Sequence, residues 1–514
     1  MSPNRRIVLN IVATYGRSLY ALVLGLFTAR WALQILGHVD YGLMGVVGGL
    51  TGFIAFFNNW LAMAVARFYA ISVGKLSVSS NQQEALEECR KWFSTAMFIH
   101  TVVPVILMVI GYPIGEWAVK NFLTIPVDRV ADCLWVFRFV CITCFVGMVS
   151  VPVSAMYNAK QYIAELTIYS FITTTINACI LYYMLMHPGI WLAKYAFCTC
   201  CLSVLPQVVI MVRGWWIFEE CRFRWRYCIS IDRFKGLAYF VGWWSIGCFG
   251  GLLRGQGIQI LVNKYFGPQV NASMTIANTV NAQTTTLSGA MLGAFQPAIV
   301  SACGAGDDNR MRSLAYRACK FSMLFILVFM LPLTLELRAV LRLWLINPPQ
   351  YVYGLCIVIF ATTLIDQSAV GHMLAVNAKG KIALYQTVLG TSLLLSLPMA
   401  WFFCAMGYGV YSVAVALFLT MAFCAIGRVW YARPLVGMSA RYWVFSTILP
   451  VFAVTLFGAI VGLLPRFFME ESFARIIVTA SFCEAAFIPL VWFVLFDNSE
   501  REFVKRKIPW LRKS

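Results

Sequence analysis

Apolar residues run along this chain in strings of roughly 20, the length that carries a helix across about 30 Å of hydrocarbon, and short polar breaks separate one string from the next. About fourteen such runs recur, near 11–33, 41–66, 92–115, 130–157, 163–186, 190–212, 237–262, 270–297, 318–341, 351–378, 382–405, 409–431, 443–464 and 473–496. The loops between them are short throughout. The pattern predicts an all-α polytopic membrane protein. No short signal peptide ending in a cleavage site precedes the first run, so that run is expected to remain as a membrane helix.

The polar punctuation itself repeats. Asn158-Ala159-Lys160 followed by Ile163-Ala164 returns as Asn377-Ala378-Lys379 followed by Ile382-Ala383, with identical spacing. Leu36-Gly37 matches Phe266-Gly267, Pro104 with Trp117 resembles Pro332 with Trp344, and Arg213 falls opposite Arg433. Several matches in one order, at offsets of about 220 to 230, mark a tandem repeat. Each copy holds six runs, an even number, so both insert in the same orientation and should relate by a pseudo-two-fold axis along the membrane normal, facing each other across a central cleft. The expected organisation is an N-terminal six-helix lobe at 1–213, a cytoplasmic interfacial linker at 214–236, a C-terminal six-helix lobe at 237–440, two additional transmembrane helices at 441–497 and a basic cytoplasmic tail at 498–514.

Within this apolar frame the stretch from Gly250 to Pro297 stands apart. Arg254 lies in apolar sequence among Gly250, Gly251, Gly255 and Gly257, which suit either tight helix packing or a helix break at a binding site. After a break at Lys264 to Gln269 comes a helix-length run carrying Asn271, Ser273, Thr275, Asn278, Thr279, Asn281, Gln283, Thr284, Thr285, Thr286 and Ser288. At 3.6 residues per turn these groups cover most of the circumference. Unpaired polar groups in lipid cost several kcal/mol each, so the helix is expected to face protein or water.

Arg17, Arg30, Arg138, Arg254, Asp366 and Glu484 fall within or at the ends of predicted spans, where an ionisable group costs at least about 2.5 to 3.5 kcal/mol. Asn10, Thr14 and Arg17 share one face of the first span. The arginines outnumber the acids, so internal pairing alone does not neutralise the set, although Arg30 can snorkel to an interface. Guanidinium groups bind phosphate oxygens through paired hydrogen bonds, which makes Arg17, Arg138, Arg254 and Arg30 candidates for an anionic ligand. Asp366 is open to two roles, a salt bridge to one of these arginines or coupling to H⁺ or Na⁺. Glu484 belongs to the added helices and reads as local structure.

The formal charge of +19 would suggest nucleic acid in a soluble domain, but cytoplasmic loops of membrane proteins collect Lys and Arg. With the N-terminus inside, one side takes about 27 of the basic residues and the other about eight, so both termini are expected in the cytoplasm and no nucleic-acid partner is implied. Between the lobes Trp215, Trp216, Phe218, Arg222, Phe223, Arg224, Trp225 and Arg226 alternate aromatic and basic groups, as suits a segment lying at lipid headgroups. The 17 cysteines sit mostly in apolar spans without CxxC or His-rich partners, which points to packing rather than to a metal or disulfides. No P-loop, HExxH or GxSxG pattern occurs, against an ATP-driven pump or a hydrolase. No cofactor is expected beyond a coupling H⁺ or Na⁺.

Arg30-Trp31, Leu36-Gly37, Asp40-Tyr41-Gly42, Gly48-Gly49, Arg67-Phe68 and the twin Asn-Ala-Lys turns, on twelve repeated helices plus two, resemble the multidrug/oligosaccharidyl-lipid/polysaccharide (MOP) exporter superfamily. Within it the likeness is to the bacterial polysaccharide-biosynthesis flippases often called Wzx. The resemblance implies a MATE-like bundle in the bacterial inner membrane that carries an undecaprenyl-pyrophosphate-linked oligosaccharide (an O-antigen, capsule or exopolysaccharide repeat unit) to the periplasmic leaflet by alternating access, with membrane lipids, a polysaccharide polymerase and glycosyltransferases as partners. In that frame the four arginines serve the pyrophosphate, and Asn271, Thr275, Asn278, Asn281 and Thr285 meet sugar hydroxyls. A cation-coupled drug exporter of the same superfamily would want an acid-lined pocket; a lipid II flippase would look alike at these residues. A membrane glycosyltransferase or polymerase usually needs a larger external loop than Glu116 to Val130.

Overall fold

The computed structural model describes residues 16–50 apart from 18, 19 and 22, the positions 65, 69 and 72, residues 81–231 apart from 161 and 188, then 233, 235, 250–379, 382–498 and 500–502. Most of the predicted span 41–66 and the first half of 237–262, together with Asn10, Thr14, Arg67-Phe68 and most of the basic tail, lie outside the described residues. The described chain is helical throughout, and ten of its helices are long and apolar enough to cross a membrane. The fold class is all-α and polytopic.

Two compact units emerge, Met1–Ala272 and Ser273–Ser514. In the first, helix α1 runs over 23–50 and is followed by α2 (Gln82–Trp117), α3 (Val130–Ala159), α4 (Ile163–Met186) and α5 (Leu192–Ile217). Helix α6 (Ile258–Gly304) begins there and continues into the second unit. The second unit adds α7 (Asp308–Leu335), α8 (Leu337–Leu345), α9 (Val352–Ser368), α10 (Val370–Lys379), α11 (Ile382–Leu394), α12 (Ser396–Ala405), α13 (Tyr411–Val436), α14 (Ala440–Trp443), α15 (Leu449–Leu463) and α16 (Phe473–Leu490).

Two of the matched turns share a backbone conformation. Gly37 interrupts α1 at φ 68° and Gly267 breaks α6 at φ 81°, a region open to glycine and costly by about 1–2 kcal/mol for other residues. At Gly267 the break is a kink between two helical pieces. The two Asn-Ala-Lys turns also behave alike: Lys160 reaches Glu220 at 2.5 Å and Lys379 reaches Asp308 at 2.8 Å.

Near these turns the first unit is closely built. Asn271 is fully buried and its amide donates to the Gly42 carbonyl at 3.0 Å. A Cβ added at Gly42 would land on the Pro268 carbonyl and the Ala272 amide, so only glycine allows this approach. Asn263 accepts from the Thr124 amide at 3.0 Å, and Asp40 pairs with Arg129 at 3.1 Å. Leu43, Val46, Val136 and Phe137 form the adjoining core.

The linker is docked rather than loose. Short turns at Glu219–Cys221 and Trp225–Tyr227 lie against the start of α2, where Thr95 donates to the Tyr227 carbonyl at 2.9 Å and Ser94 accepts from the Arg224 amide at 3.0 Å. Cys221 is buried, and that burial, with Glu220 beside it, raises its thiol well above the usual range. Trp216 and Trp225 remain exposed, along with Arg222, Arg224 and Arg226.

One span sits differently from its expected place. The run expected at 318–341 is a helix over Asp308–Leu335, with α8 as a separate short element behind it. The polar segment Asp308 to Arg317 extends the helix past its apolar stretch under an Asp307 cap, which accepts from the Arg310 amide at 2.9 Å. At the other end the helix stops at Glu336, whose buried carboxylate accepts from Arg475 at 2.9 Å, Arg466 at 3.2 Å and Thr479 at 3.2 Å. That network ties α7 to α16. The cores of this unit gather Met311, Ala315, Leu374 and Met421 in one cluster, and Leu327, Val451, Val454 and Phe487 in another.

Candidate functional site

In the first unit the four candidate arginines are all half-buried. Arg138, on α3, donates to the Tyr112 hydroxyl at 3.2 Å and lies 4.8 Å from the centre of the Trp135 ring, so its guanidinium has a hydrogen-bond partner and an aromatic face beside it. Among the described residues Arg17, Arg30 and Arg138 make no ion pair with a carboxylate. Arg254 sits in a five-residue π-helical turn, Leu253–Gly257. A Cβ built at Gly251 or Gly255 would meet nothing within 4 Å, so close packing does not require glycine at either position, and Gly255 lies inside the change of helical winding.

The polar helix divides into different environments. Asn271, in the first unit, spends its amide on Gly42 as described. In the second unit Thr275 is half-buried and Asn278 is exposed. Asn281 accepts from the Thr363 hydroxyl at 2.9 Å, and Thr285 returns its proton to the Asn281 carbonyl at 3.0 Å. Thr279, Thr284 and Thr286 also bond to carbonyls of their own helix at 2.8 to 2.9 Å. These back-bonds are how a hydroxyl-rich helix becomes tolerable at membrane depth. At Ser288 the face turns into protein: its hydroxyl meets Ser322 at 2.6 Å and donates to Gln367 at 3.3 Å, while Ser322 bonds to the same Gln367 oxygen.

That chain ends on a charge. Gln367 donates to Asp366 at 3.2 Å, and Arg428 from the middle of α13 holds the same carboxylate at 2.7 Å and the Asp366 carbonyl at 3.2 Å. Asp366 thus finds its partner in a different arginine from the four proposed. Asn281 and Thr285 come together and meet α9 at Thr363, three residues before Asp366. Arg428 was legible in principle, as a lone charge inside the apolar run 409–431. Buried Lys320, bound to Glu500 at 2.6 Å, and buried Arg475 were hidden by their position near run ends.

No protein-family model matches the chain, and no curated protein matches it. Solved structures do. An inward-facing multidrug resistance MATE family transporter of the MOP superfamily aligns with TM-score 0.62 at 14% identity, covering 81% of this chain and 94% of that one. The lipid II flippase MurJ in an inward closed conformation aligns with TM-score 0.62 at 11% identity, covering 97% and 99%. A MOP superfamily transporter from Pyrococcus furiosus, described as having a binding pocket of reverse polarity, aligns with TM-score 0.53 at 11% identity over 84% and 94%. At such identities the likeness establishes the fold: this chain is built like the MOP transporters, over almost the whole length of each.

Proposed function

We propose that this protein is a MOP-type flippase that moves an undecaprenyl-pyrophosphate-linked oligosaccharide across the bacterial inner membrane by alternating access, with both termini in the cytoplasm. The observation that carries this reading is the distribution of charge. Arg17, Arg30 and Arg138 make no ion pair among the described residues, whereas the carboxylate of Asp366 is held by Arg428. Guanidinium without a carboxylate partner suits an anion, and the planar fork of arginine suits a pyrophosphate. It does not suit a cationic drug.

Arg138 and Arg254 are the proposed pyrophosphate contacts, Arg138 because its guanidinium is pre-oriented by Trp135 and Tyr112, Arg254 because it sits on a helical irregularity. Asn278, Asn281 and Thr285 remain candidates for sugar contacts. With Asp366 paired to Arg428, the drive we propose is the interior-negative potential, worth roughly 2.3 kcal/mol per charge per 100 mV for an anion moving outward. Deleting the gene in its host and measuring surface polysaccharide and lipid-linked oligosaccharide at the inner leaflet tests the proposal. Loss of the first with build-up of the second is the expected result. Normal surface glycan with greater sensitivity to cationic drugs would refute it and favour the multidrug reading.

A further inference from the structure

We infer that the first unit carries a glycan-binding pocket of its own, between α4 and α5, in a place the sequence did not single out. A cavity of about 520 Å³ opens there, within the range of about 300–1,000 Å³ usual for small-ligand sites. Nine of its thirteen lining residues bear a hydroxyl or an amide, and none bears a charge. From α4 come Tyr169, Ser170, Thr173, Thr174 and Asn177. From α5 come Tyr195, Thr199, Ser203 and Gln207.

These groups occupy one face of each helix. On α4 the positions 169, 170, 173, 174 and 177 fall on a different side from Ile168, Ile172 and Ile176, which are among the exposed apolar residues of that helix and line a separate apolar cavity with Gly16. On α5 the positions 195, 199, 203 and 207 recur every fourth residue, while Phe197, Leu205 and Val209 are exposed on the other side. Each helix thus has an apolar side apart from its polar one. A second face this polar would be costly against hydrocarbon, so it lines water or a ligand.

The hydrogen-bond inventory specifies the ligand class. Thr173 and Thr174 donate to the Ser170 carbonyl, at 3.0 and 2.8 Å, and Ser203 donates to the Thr199 carbonyl at 2.8 Å. Their oxygens are left as acceptors. The Oδ1 of Asn177 is buried and accepts nothing among the described residues. Gln207 has its Oε1 taken by Ser150 at 2.6 Å, which leaves its amide N–H groups as donors. Neutral donors and acceptors side by side match a polyol, in which every hydroxyl is both. The nearest acid, Glu165, is engaged by Arg213 and by Tyr169, so it does not convert the pocket into a cation site.

The assignment rests on the proposed function for the origin of the sugar, a lipid-linked oligosaccharide. The test uses the purified full-length protein and two probes: bare undecaprenyl pyrophosphate, and the glycan-bearing carrier extracted from the deletion strain. Binding is read by native mass spectrometry. Wild type is expected to prefer the glycan-bearing form. Asn177→Leu and Ser203→Leu, which fill the pocket with hydrocarbon, should cut binding of that form by about tenfold or more and leave the bare carrier unchanged. The milder Asn177→Ala and Ser203→Ala report the same loss if the leucine variants do not accumulate. Variants that keep the wild-type preference overturn the pocket while the transport proposal stands. A wild type that binds neither probe overturns the transport proposal, and the pocket assignment with it.

Discussion

Removing Asp366 or Arg428 singly should damage the protein more than removing both. Their contact is 2.7 Å, and the two side chains are 28% and 10% exposed, so the pair is mostly out of water. Unit charges about 4 Å apart attract by about 4 kcal/mol at an effective dielectric constant of 20, and the desolvation of each ion is of the same order. The intact pair therefore contributes little net stability. Asp366→Ala leaves the Arg428 guanidinium inside the bundle without its carboxylate, and Arg428→Ala does the converse to Asp366; each should cost about 3–5 kcal/mol. In the double variant Asp366→Leu with Arg428→Met both charges go, and stability should return to within about 1 kcal/mol of wild type or exceed it. The assay is unfolding of the purified protein in a fixed lipid–detergent mixture, with surface glycan measured in parallel in the complemented deletion strain. Single variants as stable as wild type, or a double variant as unstable as the sum of the singles, would refute the pairing argument. If the double variant is stable but silent in export, Asp366 has a role in transport beyond the pair, and ion coupling at this carboxylate becomes the reading to pursue.

Other outcomes follow from the same geometry. Arg138→Ala and Arg254→Ala are expected to stop export while the protein still accumulates, and Lys at either site should restore only part of it, because an ammonium lacks the planar fork; full export by both alanine variants would remove these residues from pyrophosphate binding. Glu336→Ala removes the nearer carboxylate of buried Arg475, leaving Glu471 at 3.8 Å and the Met469 carbonyl at 3.3 Å, and should cost about 3 kcal/mol in unfolding, with much smaller loss for Arg466→Ala, whose side chain is 43% exposed. Gly42→Ala forces a Cβ against the Pro268 backbone and should destabilise by about 1–3 kcal/mol; unchanged thermal unfolding would show that this approach is not needed for stability.

The all-α class and the turns were legible because they depend on neighbours in sequence. A run of roughly 20 apolar residues has to be satisfied by its own backbone in lipid, which leaves a helix as the solution, and a glycine between two such runs marks where the chain takes a positive φ, as it does at Gly37 and Gly267. The polar character of residues 271–288 was equally plain, since composition alone shows that this helix cannot bathe in hydrocarbon. What each amide or hydroxyl meets was decided only by the tertiary structure. Asn271 is used by the Gly42 carbonyl, Ser288 by Ser322 and Gln367, and Asp366 by an arginine 62 residues further on. The uncharged pocket illustrates the same division. Its two stripes, 169 to 177 and 195 to 207, were present in the sequence as hydroxyls and amides at helical spacing, but a threonine that bonds its own helix and one that faces a cavity look identical along the chain. Packing of α4 against α5 set those two faces together, and a long-range contact of that kind leaves no local signature in either helix.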